Sequence, residues 1–266
     1  MLKAVEHIGG VGIGVTSPQL FRADDGQVYV VKLQRNRLGT KILANELLAV
    51  KIGERLKLCF PASGVIELSQ ETINSYPRLA KAGVMPGRQF ACRYLSHTMY
   101  VDRGKLAKAV NKEQLAGVML FDHLLHNIDR TWNRKNLLIR HEQDGPKVYA
   151  IDNSHLFLRG RWTADSLKDL AGRMKVNSRR SYGVLLKYYL RPEHFASYAQ
   201  AMLAISNEDV ADIVFGIPEE WLPSHEERAA LIEHIIIRRE LVPDICRMLT
   251  ALIPNINRST NDNKRK

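Results

Sequence analysis

Cysteine is scarce here: three in 266 residues, Cys59, Cys92 and Cys246, far apart, odd in number and with no CxxC pair. That excludes a disulfide framework and a thiolate zinc site, and leaves the three as small apolar residues for burial. No apolar run approaches the roughly 18 residues that a membrane span requires, and the opening MLKAVEHIGG has no apolar stretch after its lysine. The expectation is a cytoplasmic chain with no membrane partner. Internal repeats and low-complexity blocks are missing, so no solenoid is indicated. Neither GK[ST] nor HExxH occurs, which rules out a Walker phosphate loop and a zincin helix. Acidic residues are the minority, 28 Asp and Glu against 39 Lys and Arg, for a net charge of +11. That balance favours anionic partners, but the sign alone does not choose among nucleotides, acidic protein surfaces, nucleic acid and lipid headgroups.

What is present suits a globular fold with a real core: 45% hydrophobic and 25% charged residues over a length that fits one two-lobed domain or two small ones. The first hundred residues read as strands around one helix. AVEHIGG and PQLFRA flank a glycine-rich turn, and DDG at Asp24 to Gly26 turns the chain into QVYVVKLQ. KILANELLAVKIGERL has helical apolar spacing, and VIELS and RQFACRYL are further strands. After about residue 100 the pattern is mainly helical, interrupted by a hairpin, NLLIRHEQDGPKVYAID, turned at Asp144-Gly145. The expected fold class is α+β: a small, mainly antiparallel β lobe with one helix over 1–95, a larger helical lobe over 96–258, and a disordered basic tail over 259–266. A cleft between lobes is where a ligand site is expected.

Several residues are candidates for chemistry. GGVGIGVTS lies between two strands, so it cannot be a phosphate loop at a helix N-terminus; alone it reads equally well as a flexible hairpin. Lys32 lies within a strand, where a lysine is usually solvated. Glu46 falls inside an apolar helix and needs a partner, because an unpaired buried carboxylate is costly. A glycine flap, a strand lysine and a helix glutamate, in that order, resemble the arrangement by which protein kinases hold a nucleotide. That order requires an acidic loop ending in a metal-binding Asn, then a metal-binding Asp after a hairpin. HNIDRTWNRKNLLI supplies Asp129 and Asn136; YAIDNSHLF supplies Asp152.

With LANELLA, FACRYL, HNIDRTWNRKNLLI and AIDNSHLF in hand, the chain resembles the HipA-like kinases, a bacterial branch of the protein-kinase-like fold, over roughly its first 160 residues. The resemblance implies a two-lobed fold and ATP and Mg²⁺ as cofactors. Lys32 would contact the phosphates and Glu46 would orient it, with Asp129 as the catalytic residue at the acceptor hydroxyl. Asn136 and Asp152 would hold the metal. Gly10, Gly12 and Gly14, with Thr16 and Ser17 at the tip, would form the flap, and Cys92, Tyr94 and Leu95 the lobe connector at the adenine. Kinases usually place the metal Asn five residues after the loop Asp, where Arg134 stands here. Asn136 is favoured because it feeds directly into the apolar strand, with Asn133 as the alternative.

The expected function is ATP-dependent phosphotransfer, as a HipA-like serine/threonine protein kinase acting on a protein substrate with an acidic surface. Alternatives are a nucleotide-binding pseudokinase or scaffold, or a small-molecule or lipid-headgroup kinase. An antitoxin-like partner enters only by family association. Phosphate on Thr16 or Ser17 would oppose nucleotide binding. His123 and His126 lack a third ligand, so one is expected to pack under the loop and the other to be solvated. Arg130, Arg134, Lys135 and Arg140 read as a basic loop drawing in phosphates, which makes a nucleic-acid stripe the less economical reading. SRRSYGVLLKYYLRP reads as a packed helix with a positive outer face.

Overall fold

A computed structural model describes residues 1–12 and 14–254 of the chain. The first part consists of β1 (Leu2–Gly10), β2 (Gln19–Ala23), β3 (Val28–Lys32), α1 (Lys41–Arg55), β4 (Ser63–Leu68), α2 (Gln70–Asn74), α3 (Pro77–Lys81) and β5 (Gly87–Arg93). The strands run in the order β1-β2-β3-β5-β4 and close into a barrel, because Leu2 and Lys3 of β1 pair in parallel with Ile66 and Glu67 of β4 while every other pairing is antiparallel. Period-two alternation fills its interior: Phe21, Tyr29, Val31, Ile66 and Ala91 are buried there. Val28, Val30 and Lys32 occupy the other face of β3 and are less buried.

The second part holds β6 (Met99–Tyr100), α4 (Arg103–Lys108), α5 (Gln114–Leu124), α6 (Asp129–Trp132), a 3₁₀ turn at Arg134–Asn136, β7 (Leu137–Glu142) and β8 (Gly145–Ala150), with the sheet order β6-β7-β8. Then follow α7 (Ala164–Ala171), α8 (Arg180–Tyr188), α9 (Pro192–Leu203), α10 (Asn207–Phe215), α11 (His225–Glu240) and α12 (Val242–Ala251). No described helix is long and apolar enough to cross a membrane. The long apolar stretch near the end divides at Leu241, since Pro243 has no N–H to continue a helix and suits the first turn of α12. Helix α1 is buried on almost every side and its apolar residues join the large core of the second part, alongside α5 and α9. It is therefore held between the barrel and the helices, which is why its polar residues matter.

Some expectations need correction. The first 95 residues hold three helices, not one: the Ser69 side chain caps α2 by accepting the Thr72 N–H at 3.0 Å, and Pro77 starts α3. The strands of the mainly antiparallel lobe also close into a barrel, which was not expected, because a single parallel contact far along the chain joins its edges. Cys59 is buried, whereas Cys92 and Cys246 are only half-buried; all three are free thiols. The expected tail, 259–266, lies outside the described residues.

Candidate functional site

The alternation that fills the barrel turns Lys32 outward to α1, where it meets Glu46. Its Nζ donates to Glu46 Oε1 at 2.5 Å and to Asp152 Oδ1 at 2.9 Å. The second Glu46 oxygen accepts the Asn153 N–H at 3.0 Å. Asp152 stands just after β8 with φ of 60°, a left-handed conformation that Asp tolerates and most residues avoid. The Ser154 hydroxyl at 2.6 Å and the Ser154 N–H at 3.3 Å both donate to the same Asp152 oxygen. One carboxylate oxygen is thus anchored, while among the described residues nothing donates to the other, Oδ2.

One ammonium faces two carboxylates, and their titration reflects this. Burial works against the Lys32 charge, but the carboxylates of Asp152 and Glu46 outweigh it and raise its pKa. Burial pushes Asp152 up, and Lys32 with the Ser154 hydroxyl reverses that, holding it well below the usual carboxylate range. Glu46 is raised, by burial first, with Lys32 opposing and the Asp152 charge adding to it. One ammonium between two carboxylates leaves a local excess of negative charge, and Asp152 Oδ2, to which no described residue donates, is the oxygen that could take a cation.

The loop before β7 supplies a second polar group. Asn136 Nδ2 donates to Asp129 Oδ2 at 2.6 Å, Asn133 Nδ2 donates to Asn136 Oδ1 at 3.1 Å, and the Lys135 N–H donates to Asn133 Oδ1 at 3.2 Å. The two extra residues of this loop are taken up by the 3₁₀ turn, which exposes Arg134 and buries Asn136. Asn136, and not Asn133, is the side chain bonded to Asp129. The main-chain carbonyl of Asn136 accepts the Ile151 N–H at 3.0 Å, one residue before Asp152, so the two polar groups share a backbone link.

Arg130 contradicts its reading as a phosphate-attracting surface charge: it is fully buried. It pairs with Asp122 Oδ1 and donates to Ile151 O at 3.1 Å and Asn153 Oδ1 at 2.7 Å. Asp122 also accepts from Asn127 Nδ2 at 3.0 Å and from the Tyr182 hydroxyl. Burial pushes the Asp122 carboxyl up, and Arg130 and the Tyr182 hydroxyl oppose it. Asn45, beside Glu46 in α1, donates to Ser154 O at 2.9 Å and Gly160 O at 3.0 Å and accepts from Trp162 Nε1 at 2.9 Å. Arg130 thus ties the Asp129 loop to the Asp152 segment, and Asn45 ties that segment to α1. Both were missed as site-building residues. The available signal was a polar side chain inside an apolar helical run, as at Asn45 and Asp122.

In the flap, Gly10 closes β1 opposite Gln19, Val11 N–H donates to Pro18 O at 2.9 Å, and Gly12 and Gly14 take φ of 78° and 101°, values that suit glycine. Thr16 is half-buried and Ser17, at φ 48°, is exposed. At the connector, Cys92 pairs with Val30 and Ser63, the Tyr94 N–H is bonded to Val28 O at 2.9 Å, and Leu95 follows half-buried.

The expectation that His123 or His126 is solvated is also overturned. His123 is buried, and His126 is half-buried with Nε2 3.2 Å from Leu170 O, near His234 and Arg238. Burial, aided by the Arg238 charge, lowers His126 to about 3, and burial lowers His234 to about 4. A base whose pKa is depressed on folding leaves the unfolded chain to take the proton first. Stability is therefore expected to be flat above about pH 6.5 and to fall below it, by about 1.4 kcal/mol per histidine for each pH unit, until the folded-state values are reached. Urea midpoints at pH 7.5 and 5 check this, and His234→Gln should flatten the slope.

With this geometry in hand, comparison with solved structures gives the class. The fold matches the Helicobacter pylori proinflammatory kinase CtkA with a TM-score of 0.57 at 13% identity, covering 92% of this chain and 96% of that one. That likeness shows a kinase-like fold. The Golgi casein kinase with Mn/ADP bound is more distant, with a TM-score of 0.43 at 10% identity over 95% of this chain and 73% of that one. No curated protein matches the sequence. The HipA-like kinase family model matches residues 5–242, and the chain belongs to that family.

Proposed function

We propose that this protein transfers the γ-phosphoryl group of ATP, with Mg²⁺, to a serine or threonine hydroxyl of a protein. The observation that carries this is one lysine shared by carboxylates 14 and 120 residues away in sequence, Glu46 and Asp152. The barrel and the helical part act as small and large lobes meeting near residue 95. Lys32 binds the α and β phosphates, and Glu46 keeps it pointed there. The flap of Gly10, Gly12, Gly14, Thr16 and Ser17 covers the phosphates. Because the Tyr94 amide is already occupied, the connector of Cys92, Tyr94 and Leu95 would meet adenine at Leu95.

Asp152 Oδ2 and Asn136 Oδ1 are hard oxygen donors with capacity to spare, which suits Mg²⁺ completing its shell with phosphates and water. Among the described residues no cluster of three or more His, Cys, Asp or Glu forms a self-contained metal cage. Bound there, the ion would neutralise charge on the β and γ phosphates. Asp129, fixed through Oδ2 by Asn136, orients the acceptor hydroxyl through its other oxygen. The acceptor oxygen bonds to the γ-phosphorus, the bond to the β–γ bridging oxygen breaks, ADP leaves with that electron pair, and the acceptor proton passes to Asp129 or solvent. Arg134 at the usual Asn position was the reason to consider a pseudokinase. The 3₁₀ turn that sets Asn136 against Asp129 supports the active reading instead.

Incubation with γ-labelled ATP and a mixture of dephosphorylated proteins tests the reading: label should reach serine or threonine with Mg²⁺ and not with EDTA. Asn136→Ala should lower the rate at least about 100-fold, as removal of a charge-stabilising group does. Asn133→Ala, which only supports Asn136, should cost about tenfold or less. The reverse order of these two variants would move the metal ligand to Asn133.

A further inference from the structure

The runs 103–112, 130–141 and 170–192 each contain basic residues and no acidic one. The fold joins them next to the loop that carries Asp129. The Tyr189 hydroxyl donates to Arg103 O at 2.8 Å, and the Ser181 hydroxyl to Thr131 O at 2.8 Å. The Arg180 guanidinium lies 4.1 Å from the centre of the Trp132 ring, and Arg103 lies 4.5 Å from that of Tyr188. Trp132 ends the short helix that Asp129 begins. Arg103, Arg180 and Lys187 are exposed, and none pairs with a carboxylate among the described residues. Arg180 has a φ of 52°, a left-handed conformation uncommon for a long side chain.

We infer that this surface docks an acidic segment of the acceptor protein, placing carboxylates beside the hydroxyl presented to Asp129. The inference rests on the reading of Asp129 as the acceptor-side residue. Charge complementarity selects an anionic partner, and the stacking selects a polypeptide. A ring face of Trp132 and one of Tyr188 are covered by guanidinium groups, whereas sequence-tolerant nucleic-acid binding needs bare ring faces for bases. A stacked guanidinium keeps its N–H edge free, and that planar fork matches a carboxylate.

Tryptophan emission can read this surface. Trp132 is 46% exposed, while Trp162 and Trp221 are 3% and 0% exposed. A serine peptide flanked by glutamates, titrated without ATP, should change the emission, and Trp132→Phe should abolish the change. Its affinity should fall at least tenfold in Arg180→Glu/Lys187→Glu and by a smaller factor in Arg180→Gln, with the ATP-induced thermal shift intact. The KM for the peptide should rise in parallel. Equal affinity for a lysine-flanked peptide, no effect of the charge reversal, or tighter binding of a single-stranded RNA of matched charge would overturn the inference. Because binding is measured without turnover, peptide binding with no phosphate transfer would overturn the kinase reading alone. Transfer indifferent to flanking charge would overturn the docking surface alone.

Discussion

Asp152→Asn is expected to lower phosphate transfer by about a thousand-fold while leaving the protein folded. Asparagine has the same shape, and its carbonyl oxygen can keep the position now bonded to Lys32 and Ser154. What changes is the second atom: an NH₂ group replaces the free oxygen, so a donor stands where a cation would bind. The substitution also removes one of two carboxylates facing a single lysine. Glu46, raised by burial and by the Asp152 charge, should become easier to ionise, and the melting temperature should stay level or rise. Initial rates at saturating ATP and a thermal melt check both halves. A rate within tenfold of the parent would remove Asp152 from the metal site.

The largest stability effect is expected at Asp122. Asp122→Ala leaves Arg130, fully buried, with no carboxylate, and breaking one partner of a buried ion pair costs about 3–5 kcal/mol. The Tyr182 hydroxyl and the Asn127 amide lose their acceptor as well. Urea denaturation should show the loss, and Asp122→Leu with Arg130→Met should recover most of it, since apolar replacement of both partners removes the stranded charge. Activity should not recover with stability. Arg130 also fixes Ile151 O and Asn153 Oδ1 on either side of Asp152, and methionine cannot make those bonds. A loss below about 1 kcal/mol in Asp122→Ala would mean that the pair is not held as described.

The residues that meet at the site were legible in the sequence because each broke a local rule. Glu46 is a charge in an apolar helix, Asp129 and Asn136 stand before a strand, and Asp152 ends one. Lys32 was legible only through its order between the flap and Glu46. Their support was less legible. Arg130 lies in a run that also holds Arg134, Lys135 and Arg140, and nothing local distinguishes the one buried arginine from the other basic residues. Its partner Asp122 is eight residues earlier and Tyr182 is 52 residues later, so only the tertiary fold brings them together. Barrel closure was hidden for the same reason, since it rests on two residues of β1 meeting β4. His126 was misread because its burial depends on α7 and α11, far along the chain.

The central claim is that Lys32, Glu46 and Asp152 together with Asp129 and Asn136 form one phosphate-transfer centre. The most direct test is a crystal structure with a nonhydrolysable ATP analogue and Mg²⁺. The ion should sit on Asp152 Oδ2 and Asn136 Oδ1, with Lys32 on the phosphates and the γ-phosphate facing Asp129. A nucleotide bound elsewhere, or an ion held without both Asp152 and Asn136, would contradict it.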